Sequence, residues 1–164
     1  MWDEALAEYC KALPIFQNHE LTAGVYHEMG TALCVANDHE EALVEQRQAL
    51  EIYGEVLGED HESTANCYES IGSVFLKSGG QPDDALIRYV KALAIRLRLL
   101  GKNNTDTAYG YCNIGIVLEE KGEYDDAILL PSLRSTSLII LMMIIIIMTL
   151  QYPFGQIFQH HTPP

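Results

Sequence analysis

Four His-Glu pairs are the residues of this 164-residue chain with the most direct chemical potential: His19-Glu20, His27-Glu28, His39-Glu40 and His61-Glu62. A second histidine four residues after the first would stand one helical turn along the same face, and two imidazoles so placed can hold zinc beside a general base. Those positions are Ala23, Thr31, Leu43 and Ala65, so no pair completes such a site. The pairs read instead as solvated histidines near helix ends. Cys10, Cys34, Cys67 and Cys112 are far apart and form no C-x-x-C pair, which argues against a zinc ribbon or a redox dithiol and for buried or half-buried thiols in a reducing compartment. The adjacent acids Glu119-Glu120 and Asp125-Asp126 suit helix ends, where the backbone dipole and solvation account for them. Phosphate-loop, dinucleotide, nucleophile-elbow and calcium-loop signatures are missing from the sequence. The expectation is a protein without catalytic residues, metal or cofactor.

Charge narrows the partners. Lys and Arg number 10 against 23 Asp and Glu, a net charge of −13. All the acids precede residue 127, so residues 1–130 carry nine basic groups and a net charge of −14. A body that acidic repels phosphate backbones and attracts neutral or basic protein surfaces. The opening "MWDEALAEYC" has acids where a secretory signal needs a basic region and an apolar run, so a cytoplasmic location is expected. The one basic stretch, with Arg88, Lys91, Arg96, Arg98 and Lys102, reads as a solvated helix face balancing its acidic neighbours.

The elements that would carry these residues emerge from internal repetition. The step "DEALAEYCKAL" returns as "EEALVEQRQAL", "DDALIRYVKAL" and "DDAILL", its alanines Ala5, Ala42, Ala85 and Ala127 separated by 37, 43 and 42 residues. Between these blocks a second element recurs as "AGVYHEMGTAL", "ANCYESIGSVF" and "AYGYCNIGIVL". Tyr26, Met29, Gly30 and Leu33 stand at i, i+3, i+4 and i+7, one face of a helix, and Tyr68, Ile71, Gly72, Phe75 and Tyr111, Ile114, Gly115, Leu118 repeat the pattern. A helical glycine costs about 1 kcal/mol relative to alanine. Three at matched places therefore point to close helix approach. The unit is helix A, tight turn, helix B, longer turn.

This unit resembles the tetratricopeptide repeat, with a glycine and an aromatic in helix A and two small residues in helix B. The long period narrows the resemblance to the kinesin-light-chain type, in which helix B runs through a Leu-Gly step into a loop with a His-Pro pair. Leu57-Gly58 and His61 match that pattern, with Glu62 in place of proline; Leu100-Gly101 match in the next lap, with Asn104 and Thr105 after them. The first lap, "ALPIFQNHELTA", is five residues shorter and contains Pro14, which should end its helix B early. The resemblance implies an all-α, right-handed superhelical stack of antiparallel helix pairs, a tetratricopeptide-like α-solenoid truncated at both ends. The expected elements are a helix B at 2–16, pairs at 21–57 and 63–100, a helix A at 106–121 and a broken helix B at 124–130.

A helix pair cannot bury its apolar face alone, so pairs stack and helix A lines the inner surface of the resulting curve. With Tyr26, Met29, Gly30 and Leu33 inward to the core, the groove side carries Gly24, His27, Thr31 and Cys34. The next helices present Asn66, Glu69, Ser73 and Leu76, then Tyr109, Cys112, Ile116 and Glu119. Asn113 is the one asparagine kept at the kinesin-light-chain place before the glycine region, where Glu28 and Ser70 stand in the other laps. A scaffold that binds a peptide segment of a partner protein is expected, its candidate groove residues being His27, Thr31, Asn66, Glu69, Ser73, Tyr109, Cys112, Asn113 and Glu119. No helix A shows an inward Lys or Arg, so a basic clamp for acidic peptides is not expected.

The repeat stops at Pro131, and residues 138–150, "LIILMMIIIIMTL", carry no charge. As helix they would span about 20 Å against a hydrocarbon core of roughly 30 Å. A C-terminal membrane anchor, an ending foreign to the repeat and a buried capping helix all remain open for 131–164. The alternatives to a free-standing scaffold are a membrane-tail-anchored adaptor and a fragment of a larger motor adaptor or signalling ATPase.

Overall fold

The computed structural model describes residues 2–12, 19–79 and 81–122. They form six helices: α1 Trp2–Ala12, α2 His19–Val35, α3 His39–Val56, α4 Glu62–Lys77, α5 Pro82–Leu100 and α6 Thr105–Glu120. No strand occurs among the described residues. The expected end of the first helix B, the broken helix B at 124–130 and the tail from Pro131 with its apolar run lie outside the described residues.

Turn chemistry sets the antiparallel pairing. After each A helix one residue takes the left-handed conformation that ends a helix: Asn37 (φ 66°), Gly79 (φ 77°) and Gly122 (φ 77°). Behind Asn37, the Asp38 N–H returns to the Leu33 carbonyl at 3.0 Å, the bond that closes such an ending. Helix α5 opens on Pro82, whose missing N–H would have no helical partner anyway, with Asp83 and Asp84 on the positive end of the dipole. The longer B-to-A turns are built twice in the same way. The buried Thr64 donates its hydroxyl to the Gly58 carbonyl (2.9 Å), and the buried Thr107 donates to Gly101 (2.8 Å). His61 then caps α4 by accepting the Ser63 N–H at 3.1 Å, and Asn104 caps α6 by accepting the Asp106 N–H at 2.7 Å.

Each helix packs on the next, and α2 also meets α4, so the A helices lie side by side with the B helices behind them. The central core joins Ile71 and Phe75 of α4, Leu86, Tyr89, Val90 and Leu93 of α5, and Ile114, Val117 and Leu118 of α6. Burying one such side chain stabilises by about 1.5–3 kcal/mol. A smaller cluster of Leu33, Cys34, Ala42 and Val74 joins α2, α3 and α4. Two of the matched glycines lie at helix crossings: a Cβ on Gly72 would sit 3.0 Å from the Tyr89 ring, and one on Gly30 would sit 2.7 Å from Gln46. Gln46 and Tyr89 both stand four residues after the repeat alanine, so one column of helix B covers one column of helix A.

Candidate functional site

All nine expected groove residues lie on the A helices, and the structure sorts eight of them into three groups. In the first, Gln46 of α3 is wholly buried beneath α2. Its Nε2 donates to the His27 carbonyl (2.9 Å) and to the Thr31 hydroxyl (3.3 Å), while the Thr31 hydroxyl donates to the same carbonyl (2.9 Å). The amide orientation is thereby set, since a carbonyl can only accept. Gln46 Oε1 then faces the His27 ring, so the imidazole Nδ1–H donates to it at 2.9 Å. The Cys67 thiol lies 3.7 Å from the same nitrogen. His27 is thus half-buried in mid-helix and tied to a neighbour, not a solvated residue at a helix end, and His61 is a helix cap. Among the described residues no group of His, Cys, Asp and Glu could hold a metal ion.

The second group forms around Arg96, a side chain of α5 that is 5% exposed. Its Nη2 donates to Asn66 Oδ1 at 2.9 Å and to Glu69 Oε2 at 2.6 Å, and Asn113 Nδ2 of α6 donates to Glu69 Oε1. The hydrogen bond to Glu69 holds the Arg96 guanidinium above its ordinary pKa, more than offsetting the opposite effect of burial. The basic stretch is therefore only in part a solvated face, with Arg98 and Lys102 exposed and the other three covered to different degrees. Arg96 is enclosed, Lys91 lies 5.2 Å from the centre of the Tyr68 ring, and Arg98 pairs with Asp60.

The third group, Tyr109, Cys112 and Glu119, stands exposed on α6 with no side-chain partner among the described residues, Tyr109 being 61% exposed. Ile116, 49% exposed, completes an apolar stripe with Tyr109 and Cys112. Ser73 lies apart from these three groups in a small cleft between α2 and α4, with Thr31, Cys34, Ser70, Lys77 and Gln46. Two expectations change here. Cys34 is buried in the second core cluster and offers little surface to the groove, and Lys77 supplies an inward cation on a helix A where none was foreseen.

Gln46, Arg96 and Lys77 are the residues that sequence reasoning missed. Arg96 lies three residues beyond Leu93 on the apolar stripe of α5, and Gln46 stands in the column that Tyr89 fills one lap later. A polar residue in an otherwise apolar column was the available signal.

A family model described as tetratricopeptide repeat matches residues 21–98 and 78–130. The chain belongs to the tetratricopeptide repeat family. Among solved structures it is similar to the crystal structure of BtubC (BKLC) from P. vanneervenii, at 22% identity and a TM-score of 0.72 over 99% of this chain. That structural neighbour is a kinesin light chain-like repeat protein. This chain spans 60% of the length of that one. No curated protein matches it in sequence. Tetratricopeptide repeats are a non-catalytic scaffold fold and generally mediate protein–protein interaction. No helix among the described residues is long and apolar enough to cross a membrane.

Proposed function

We propose that this chain is a non-enzymatic cytoplasmic scaffold that binds an extended peptide segment of a partner protein along the inner surfaces of α2, α4 and α6. The observation that carries this reading is the lining itself. An exposed apolar stripe of Tyr109, Cys112 and Ile116 adjoins a row of polar side chains from Asn66 to Thr31, the mixture that suits a peptide with alternating apolar and main-chain contacts. The partner segment is neutral or basic. The net charge of −13 attracts basic segments at long range, and Glu119 and Glu120 add local attraction at the α6 end. Glu69 adds little because Arg96 already pairs with it, and Lys77, at the cleft between α2 and α4, favours an acidic side chain there.

The test is binding of the chain to a peptide array containing acidic, neutral and basic sequences, at low and moderate salt. Basic peptides should bind best and weaken with salt, and Tyr109→Ala should lower their affinity several-fold. A preference for acidic peptides would overturn the charge reading, and indifference to Tyr109→Ala would move the contact off this surface.

A further inference from the structure

The B helices carry a charged group that the groove does not use. Arg47 of α3 and Arg88 and Lys91 of α5 stand five, three and six residues after their repeat alanines, so they lie at one level of two successive B helices. Helix α4 sits between these two and packs on both. Lys91 lies 5.2 Å from the centre of the Tyr68 ring of α4. Tyr68 in turn shares a cluster with Leu50, one turn beyond Arg47, and with Ala92 and Ile95 of α5. Three cations thus gather over one patch of a chain whose net charge is −13.

Their own surroundings do not balance them. Burial chiefly, and beyond it the Arg47 charge, hold the Arg88 guanidinium below its ordinary pKa, and burial followed by Arg88 does the same to the Lys91 ammonium. Asp84 for Arg88 and Glu59 for Lys91 are the acids that oppose these effects. Neither Arg47 nor Arg88 forms an ion pair among the described residues. Arg88 Nε is enclosed without a hydrogen-bond partner, while its Nη groups, also unbonded, reach solvent. An apolar residue would avoid that cost. The repeat does not require it either, since the same three places one seam earlier, between α1 and α3, hold Cys10, Glu45 and Gln48.

The chemistry of the patch selects among anions. A single carboxylate balances one of the three charges, whereas a phosphomonoester carries about two negative charges and three acceptor oxygens, which suit guanidinium forks. Membranes and nucleic acids present phosphates in rows, and the acidic body repels such arrays. Val44, 53% exposed and one turn before Arg47, and Ile87, 41% exposed and beside Arg88, flank the cations with apolar surface. That surface can hold the side chains next to a phosphorylated residue and does nothing for free phosphate.

We propose that the seam between α3 and α5 binds a phosphorylated serine or threonine of a partner protein, Arg47, Arg88 and Lys91 holding the phosphoryl oxygens and Val44 and Ile87 contacting the flanking residues. The site lies on the B helices and does not rest on the groove reading. It gives an acidic chain a place where phosphorylation of a partner creates attraction in place of repulsion.

The experiment probes the full chain with an array of random peptides centred on serine or threonine, each present with and without the phosphate, and measures the best pair in solution by fluorescence anisotropy. The phosphorylated member should bind about tenfold tighter, the worth of one charge-assisted hydrogen bond. Arg88→Gln should bring that ratio below about twofold, and Arg47→Gln should lower it in part, with helical content by circular dichroism kept. Lys102→Gln removes an equal charge from an exposed residue outside the seam and should leave the ratio as in the wild type. Should Arg88→Gln not fold, the contrast between Arg47→Gln and Lys102→Gln decides. An array without phosphate-dependent binding, a ratio unchanged in the folded seam variants, or an equal loss in Lys102→Gln would overturn the proposal. So would vesicles containing a phosphorylated inositol lipid that bind the chain more tightly than any phosphopeptide. Binding of unphosphorylated basic peptides in the groove would survive each of these results.

Discussion

Two glycines show how the same residue type takes opposite roles. Gly72 recurs in register with Gly30 and Gly115, and its missing side chain leaves room for the Tyr89 ring 3.0 Å from the Cβ position. Gly72→Leu should therefore overpack the α4–α5 crossing and cost about 1–3 kcal/mol in urea denaturation; unchanged stability would show that Tyr89 can move aside freely. Gly54, in α3, has no such register, its place one lap on being Leu97, and a Cβ there would meet nothing within 4 Å. Gly54→Ala should stabilise by about 0.5–1 kcal/mol through helix propensity alone. Residue-scale chemistry also separates the cysteines. Burial pushes the Cys67 thiol up to about 12 and the Tyr89 phenol likewise to about 12. Both pKa values are raised on folding, so the neutral forms are favoured in the folded state. Stability from these groups is complete below the unfolded values near 9 and 10, then falls as pH rises toward 12. Alkaline titration followed by circular dichroism should show stability declining above about pH 9, with Cys10 and Cys112 reacting with a thiol reagent before Cys34 and Cys67. Early reaction of Cys67 would contradict its burial.

At the scale of elements, the B-to-A turns are duplicated down to one hydroxyl. Thr64 and Thr107 each cap a glycine carbonyl from a buried position, and valine at either site keeps the shape but strands that acceptor. Each substitution should cost about 1–3 kcal/mol, read as a lower melting temperature, and a neutral result would mean that water reaches the carbonyl. These threonines also mark what the sequence could and could not disclose. Helix type, pair order and core faces were legible because alanine, aromatic and glycine columns recur in register, and columns report which face of a helix is covered. They do not report what covers it. Arg96 looked like one cation in a solvated basic run because Asn66 and Glu69 lie a full helix away in sequence. His27 looked like a solvated histidine because its partner, Gln46, belongs to the next helix. The candidate groove residues fall on α2, α4 and α6, while the hydrogen bonds among them depend on contacts between elements that no single-helix periodicity contains.

For the whole molecule, the governing fact is that each helix packs mainly on its neighbours in sequence, so stability is a chain of local interfaces and not one shared core. Those interfaces are unequal. Helix α4 buries eight of its residues, among them Ile71, Val74 and Phe75, and α5 buries nine, among them Val90 and Leu93. In α1 no residue from Glu4 to Ala12 is buried, and its Leu6 is only partly covered, against the cluster of Leu33, Cys34, Ala42 and Val74. Opening α1 therefore exposes little apolar surface, whereas opening α5 exposes the central core on both its α4 and α6 sides. In native-state hydrogen exchange, amides of α4 and α5 should be the last to exchange and those of α1 the first, with α3 between them. Each tenfold step in protection corresponds to about 1.4 kcal/mol of opening free energy, so a gap of two or more decades between α1 and α5 is expected. Urea should widen the transition for the same reason, since interfaces of unequal strength do not melt together. Uniform protection from α1 to α6 would show that the stack unfolds as a single unit, and would require coupling between the pairs stronger than the packing of α1 on α2 provides.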